Sequence, residues 1–304
     1  MMATMAFGLS GFGFGVTVVI FVFALMAKRY RFSLRTFFIV TTILGVWLGL
    51  KVGHDFKLQR GITTLANAGG HFKVYDRSPD FPWGIWANRY ALDFYSLSEP
   101  LNSKQLAHLE AFAPSSLWDL DLTNSGITDE SLRFVGRLTN VEGLSLANDT
   151  YVTGERIPDR PQNHITDAGL GRIRGLRQLK RIQLGGTDLT DGCVKYLLEM
   201  PHLKCIYLEG TGVTGTGLAQ LGTLKDLCIL ELNGCPISSD GFKELSRLPN
   251  LISLGLNNSG TTDADLEELN ALPQLHILRL RKNQVSNEAV KRFSQAHPKC
   301  KIER

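Results

Sequence analysis

Four aspartates (Asp129, Asp167, Asp191 and Asp263) and five cysteines (193, 205, 228, 235 and 300) are the residues here whose types suit chemistry. A carboxylate can act as general acid or base, and a thiolate as nucleophile, when a partner group is held within hydrogen-bond reach. Each aspartate follows a threonine and precedes a helical pattern. There a negative charge is explained by the positive end of a helix dipole, with no catalytic role. The cysteines fall at unrelated places in the chain's repeat, and no histidine and acid are fixed beside any of them. Neither C-x-x-C nor H-x-x-x-H occurs among the five cysteines and seven histidines, which argues against a disulfide framework and a structural zinc site. G-x-S-x-G, P-loop, kinase, H-E-x-x-H and dinucleotide fingerprints are absent. The expectation is no enzyme, no catalytic residue, no metal and no cofactor.

The elements that carry these residues recur. Leu117, Val141, Leu179, Leu203, Leu227, Leu251 and Leu275 open seven repeats, with steps of 24, 38, 24, 24, 24 and 24 residues. Each reads L-x-x-L-x-L, then a turn, then Thr or Ser, often Asp, then a helical pattern. "LWDLDLTNSGITDESLRFVGRL" (117–138) and "LHILRLRKNQVSNEAVKRF" (275–293) show it most clearly. The alternating leucines predict a strand buried on one face. Leu120, Leu144, Ile182, Ile206, Leu230, Leu254 and Leu278 should stack as one ladder. The twelfth column (Thr128, Thr166, Thr190, Thr214, Ser238, Thr262, Ser286) supplies the hydroxyl that a helix N-cap needs. The ninth (Ser125, Asp149, Thr187, Thr211, Cys235, Ser259, Asn283) should hydrogen-bond the turn backbone of a neighbouring repeat. Gly215 and Ser239 depart from the aspartate column, and Thr261 stands where an apolar residue is usual. The single long step contains "YVTGERIPDRPQNH" (151–164), which lacks the leucine spacing. It reads as an exposed rim loop, either idle drift or a recognition element offering Glu155, Arg156, Asp159 and Arg160.

Alternation leaves the third, fifth and seventh columns on the other face of the sheet. The candidates for partner binding are Asp119, Asp121, Arg181, Gln183, Tyr207, Glu209, Glu231, Asn233, Asn257, Arg279 and Arg281. Tyr207, near the centre and beside Arg181 and Glu231, has the composition of an interface hot spot.

Upstream, Met5 to Ala27 is uncharged across 23 positions, enough to cross a bilayer core of roughly 30 Å. "KRYRFSLR" (28–35) follows, then a second apolar run. Two transmembrane helices are expected, about 5–27 and 36–53, paired through glycines four apart. The basic loop 28–35 should stay in the cytoplasm, placing the repeats outside it. Residues 54–90 read as a juxtamembrane linker and N-terminal cap. A degenerate first repeat (91–116), seven repeats (117–298) and a terminal strand (299–304) complete a solenoid over 91–304. A formal net charge of +4 on 304 residues, without a concentrated basic face, excludes a nucleic-acid binder.

With its I-T-D-x-x-L turns, residues 117–304 resemble the leucine-rich-repeat proteins. "RFSLRTFFIVTTILGVWLG", then "LANAGGHFKVYD", then repeats is similar to the membrane-anchored leucine-rich-repeat proteins abundant in planctomycete bacteria. The resemblance implies an α/β solenoid, with a parallel sheet on a concave face and helices on a convex face, that binds macromolecules. The expectation is a membrane-anchored, non-catalytic recognition module of the bacterial envelope. Its partners would be a protein or a glycan, and the lipid bilayer through residues 5–53. The alternatives are a cytoplasm-facing scaffold of inverted topology and a self-associating structural envelope protein.

Overall fold

Ten strands run side by side in one sheet, and the sequence period sets their register. The computed structural model describes residues 57–75, 89–94, 99–112, 117–148, 151–152, 155–156 and 161–304. The strands are β1 (His71–Tyr75), β2 (Arg89–Asp93), β3 (Leu117–Asp121), β4 (Gly143–Ser145), β5 (Tyr151–Val152), β6 (Glu155–Arg156), β7 (Arg181–Gln183), β8 (Cys205–Tyr207), β9 (Ile229–Glu231), β10 (Ser253–Gly255), β11 (Ile277–Arg279) and β12 (Lys301–Glu303). The large sheet follows the order β1-β2-β3-β4-β7-β8-β9-β10-β11-β12. From β2 onward every pairing is parallel, while β1 pairs antiparallel with β2. This is the α/β leucine-rich-repeat architecture expected from the sequence. The expected transmembrane spans and the basic loop lie outside the described residues. Among the described residues, no helix is long and apolar enough to cross a membrane.

The predicted ladder forms. Leu120, Leu144, Ile182, Ile206, Leu230, Leu254 and Leu278 are paired neighbour to neighbour and buried, and Leu92 and Ile302 extend the column at its two ends. Burying each leucine side chain contributes about 2 kcal/mol, and no repeat can bury its own face without the next. The ends are closed differently. Residues 57–67 are helical, and the turn after them ends at Gly69, whose φ of +94° suits glycine. Strand β1 then covers the first parallel edge. At the other end, Arg304 donates to Asn287 Oδ1 and to Val285 O.

The helical segments that follow the strands are short, as the pattern suggests, and differ from repeat to repeat. Three of the seven repeats carry a single α-turn, such as Leu132–Val135, and Leu218–Thr223 is 3-10 throughout. Gly215 and Gly217, at φ +102° and +79°, replace helix-entry residues there and break the α-helical start. Among the seven repeats the longest helix is Asn287–Ala296, in the last of them.

The aspartate column has a stronger role than the helix dipole. Each aspartate clamps the next repeat's hydroxyl residue through both carboxylate oxygens. Asp129 accepts from Thr166 N (2.9 Å) and Thr166 Oγ1 (2.7 Å), and Asp167 holds Thr190 in the same way. Asp191 takes Thr214 N, Thr214 Oγ1 and also Gly215 N, and Asp263 takes Ser286 N and Oγ, both at 2.7 Å. The hydroxyl then caps its own helix where geometry allows, as Ser286 does for Ala289 N at 3.1 Å; Thr166 makes no such cap bond. Where the aspartate is missing, the next hydroxyl finds another acceptor. Ser238 donates to Thr214 O, and Thr262 donates to its own Asp265 at 2.7 Å. Thr261, buried in an apolar place, pairs its hydroxyl with Ser259 at 2.9 Å.

This clamp predicts a pH dependence. The Ser286 hydroxyl, then the Ser286 N–H, hold the Asp263 carboxyl below its ordinary value. A depressed folded value means the contribution is complete above the unfolded pKa of about 4 and is lost as pH falls through the folded value. The melting-temperature gap between the parent and Asp263→Asn should therefore be widest at neutral pH and narrow below about pH 4. A gap that stayed constant down to pH 2 would remove the carboxylate charge from the explanation.

The long step closes on one residue. Asn163, 1% exposed, accepts from Ser125 N and Ile127 N (3.1 Å each) and donates to Leu122 O (2.8 Å) and Leu146 O (2.9 Å). Asn283 makes the same four bonds one hundred and twenty residues on: from Ser259 N and Thr261 N, and to Leu256 O and Leu280 O. Asn163, not Asp149, therefore holds the ninth column of its repeat, and the extra residues run from 149 to 162. The eighth column marks the same exit. It is left-handed at Asn124, Gly186, Gly210, Gly234, Asn258 and Lys282, but not at Asn148, where the chain leaves the turn. Asn148 and Asn163 are tied together at the neck, from Asn163 N to Asn148 Oδ1 (2.7 Å) and from Asn148 Nδ2 to Asn163 O (2.8 Å). The other ninth-column groups divide. Cys235 reaches the preceding repeat's Leu208 O, as expected. Thr187, Thr211 and Ser259 instead bond a carbonyl three residues back in their own repeat.

Candidate functional site

Register brings the face residues together in rows across the strands, and most are committed to one another. At one end Arg181 Nη2 lies 2.8 Å from Asp119 Oδ1, although β4 runs between their strands. The intervening position is Gly143, where a Cβ would sit 2.1 Å from Asp119 Oδ1 and 2.9 Å from Arg181 Nη2. The glycine is what lets the bridge pass over a strand. Asp121 accepts from Thr123 N (2.8 Å), and the Thr123 and Ser145 hydroxyls pair at 2.6 Å.

The same device recurs toward the other end. Arg279 pairs with Glu231 across β10, over Gly255, where a Cβ would lie 1.7 Å from Glu231 Oε2. Arg279 also donates to Ser253 Oγ (3.1 Å) and approaches Glu303 (3.4 Å), while Asn233 Nδ2 donates to Glu231 (3.0 Å). Asn233 and Asn257 spend their amide oxygens on the backbone N–H groups of Asn257 and Arg281, one repeat further on (2.9 and 2.7 Å). Both were expected to contact a partner; the structure places their oxygens in the stack. Arg281 itself is exposed.

Between these two blocks lies an open depression of about 510 Å³, lined by Ala147, Asn148, Gln183, Gly185, Gly186, Tyr207, Glu209 and Gly210. Gln183 and Tyr207 are paired across β7 and β8. The Gln183 side chain makes no hydrogen bond among the described residues. Burial raises the Tyr207 hydroxyl above its ordinary value, with Cys205 and Glu231 adding to the effect and Arg181 opposing it. Tyr207 therefore stays a neutral hydrogen-bonding group at physiological pH. The small residues Ala147, Gly185, Gly186 and Gly210 are what the candidate list missed. Their signal is that four of the six positions in the seventh and eighth columns of the second to fourth repeats are alanine or glycine.

The rim-loop candidates are only partly placed. Glu155 and Arg156 form β6, antiparallel to β5. Asp159 and Arg160 lie outside the described residues. The neck residue Asn148 lines the depression, so the insertion leaves the fold at the lip of that site.

The thiols are poorly suited to nucleophilic work. Burial, reinforced by Asp167 and Asp191, pushes Cys193 up to about 12. Burial also raises Cys205 and Cys235, and pushes Cys300 up to about 11. A thiol held protonated does not attack. A thiol reagent at pH 8 should leave Cys193 and Cys235 unmodified in the native chain and modify all five cysteines after unfolding in urea. Rapid native labelling of Cys193 would contradict this. Among the described residues, no group of three or more His, Cys, Asp or Glu could hold a metal ion.

No family model matches the chain, and no curated protein matches it. Among solved structures, it is similar to an internalin from Listeria monocytogenes at 22% identity and a TM-score of 0.47, covering 67% of this chain and 58% of that one. It is also similar to a leucine-rich-repeat protein from Leptospira interrogans at 19% identity and a TM-score of 0.45, covering 68% of this chain and 52% of that one. The chain spans little more than half the length of either. The register, the buried ladder and the inter-repeat clamps of this chain themselves carry its assignment to the leucine-rich-repeat architecture.

Proposed function

We propose that the protein is a membrane-tethered recognition module that binds a partner protein on the open face of its sheet and performs no catalysis. The observation that carries this reading is the central depression. Ion pairs and amide ladders occupy the flanking face residues, whereas Gln183 and Tyr207 border an open volume within the range of ligand sites, about 300–1,000 Å³. An aromatic residue ringed by polar groups is a common energetic centre of protein interfaces.

The tether rests on residues 1–53. The uncharged run from Met5 to Ala27 and the apolar run after "KRYRFSLR" support two spans, and the basic loop supports a cytoplasmic hairpin tip with the repeats outside. An impermeant thiol reagent on intact cells tests this, with one cysteine placed in the 149–162 insertion of a cysteine-free chain. Labelling without lysis is expected; labelling only after lysis would favour a cytoplasm-facing scaffold.

Binding is tested by chemical cross-linking in cells expressing the full chain or its variants. Tyr207→Ala should weaken capture of the specific cross-linked species at least tenfold, in line with a hot-spot loss of about 2 kcal/mol. Arg181→Ala, which unties only the Asp119 bridge, should have a smaller effect. Cross-links unchanged in both variants would point away from the open face. Cross-links only between copies of this chain would favour a self-associating structural protein.

A further inference from the structure

Exposed bases gather on the rim where each helical segment returns to the next strand. Arg174, Arg177, Lys204 and Lys225 lie there, and among the described residues none of their side chains takes part in an ion pair or hydrogen bond. A helix dipole does not account for them. Arg174 and Arg177 stand more than a turn beyond the helix Asp167–Leu170, and Lys204 stands further than that beyond Val194–Leu197. The acids on this rim between residues 171 and 228 are Glu199 and Asp226, whereas the aspartate clamps occupy the opposite rim, at the helix starts. The second column runs along the basic rim as one backbone ladder. Lys204 N donates to Lys180 O (2.8 Å), Cys228 N to Lys204 O (3.0 Å), Ile252 N to Cys228 O (2.9 Å) and His276 N to Ile252 O (2.8 Å). Along this ladder charge gives way to apolar side chains. Ile252 is 44% exposed, the one large apolar side chain so exposed among the described residues. The half-buried Ile229 and Ile277 flank it through their pairing with Ser253.

We infer that this rim docks on a bilayer surface carrying anionic phospholipid. Arg174, Arg177, Lys204 and Lys225 bind headgroup phosphates. Ile252, with Ile229 and Ile277 beside it, enters the boundary between headgroups and acyl chains. Bases next to an exposed apolar side chain suit such a surface, because headgroup charge and acyl chains lie within about 10 Å of each other. An acidic protein segment would engage the bases and leave the isoleucines in water. The inference rests on the tether reading above for proximity. Residues 54–56 alone separate the expected second span from the helix at 57–67, a short connection that keeps the solenoid at high effective concentration over lipid.

The test uses the full chain, cysteine-free, reconstituted into vesicles of phosphatidylcholine alone or with about 30 mol% phosphatidylglycerol. One fluorophore is attached at Gln178→Cys on the basic rim, or at Gln284→Cys on the opposite rim, and its quenching by headgroup spin-labelled lipid is read. In anionic vesicles quenching at 178 should exceed that at 284 by about threefold or more. It should fall to the level at 284 in phosphatidylcholine, in the triple variant Arg174→Ala, Arg177→Ala, Lys204→Ala, and on raising salt from about 0.1 to about 0.5 M. Ile252→Ser should reduce it about twofold. All of these positions are exposed, so the substitutions leave the core untouched. Equal quenching at the two rims, or quenching at 178 indifferent to phosphatidylglycerol or to the triple variant, would overturn the docking. Absent quenching, together with a cross-linked protein lost from cells on the triple variant, would also overturn it and assign the rim to an acidic protein. The tether is read separately, by extracting the vesicles at alkaline pH. A chain that resists extraction without quenching at 178 overturns the docking alone. A chain that is extracted, yet quenched beforehand, overturns the tether alone.

Discussion

Deleting residues 149–162 should leave the stability of the chain within about 0.5 kcal/mol of the parent, as expected for a surface loop away from packing. Deleting 151–164, the same number of residues two positions later, should cost about 3 kcal/mol, and so should Asn163→Ala. The first deletion joins Asn148 to Asn163, restores the 24-residue step and keeps the buried amide. The second leaves Asp149 in the ninth column. An aspartate can accept from Ser125 N and Ile127 N, as Asn163 does, but it has no N–H groups for Leu122 O and Leu146 O. Those carbonyls would face a carboxylate. Asn163→Ala strands both carbonyls and both N–H groups at a site 1% exposed, and each stranded group costs about 1–3 kcal/mol before water or relaxation recovers part of it. Urea denaturation of the purified full chain, read as midpoint shifts, decides it. If the two deletions behave alike, Asn163 is not what closes the insertion.

Arg279→Met should destabilise the chain by about 2–3 kcal/mol, because it leaves Glu231 as a buried carboxylate with Asn233 as its remaining side-chain donor. The double variant Glu231→Met with Arg279→Met should recover most of that loss, since removing both members of a buried pair is often close to neutral. Gly255→Val should resemble Arg279→Met, because its Cβ would collide with the bridging carboxylate, 1.7 Å from Glu231 Oε2, and displace it. In a stacked fold such a lesion melts the neighbouring repeats first. The loss should therefore appear as faster hydrogen exchange in β9 to β12, with β3 and β4 unchanged. Equal acceleration across the sheet, or a double variant no better than the single, would assign the effect to something other than the unpaired carboxylate.

Much of this architecture was legible because a stack of parallel strands converts period into register. Once Leu117, Leu203 and Leu275 are seen as one column, alternation places Leu120 in the core and Asp119 on the open face, and the pairing of Ile182 with Ile206 follows from their 24-residue spacing alone. The threonine and aspartate columns were visible for the same reason. Their chemistry was not, because a carboxylate next to an N-cap looks sufficient for its own helix. Only the stacked structure shows Asp129 reaching forward to Thr166, and Thr262 turning to Asp265 where Ser239 lacks the carboxylate. The ninth column misled at one place. Asp149 stood at the expected count from Val141, and nothing local distinguishes it from Asn163, whose four backbone partners come from residues up to forty-one positions away.

On the open face the division is sharper. Which side chains point outward is readable from the residues alone, because the strand pleat is local and alternates with every residue. Which of them are committed to neighbours emerges once the strands are assembled. Asp119 meets Arg181, and Glu231 meets Arg279, two strands apart in the sheet, because Gly143 and Gly255 leave the space between them empty. Gln183, Tyr207 and Glu209 border an open floor because small residues adjoin them at Gly185 and Gly210. Side-chain direction follows from a residue's own backbone, whereas commitment depends on the reach of a long side chain across a neighbour that one repeat cannot see.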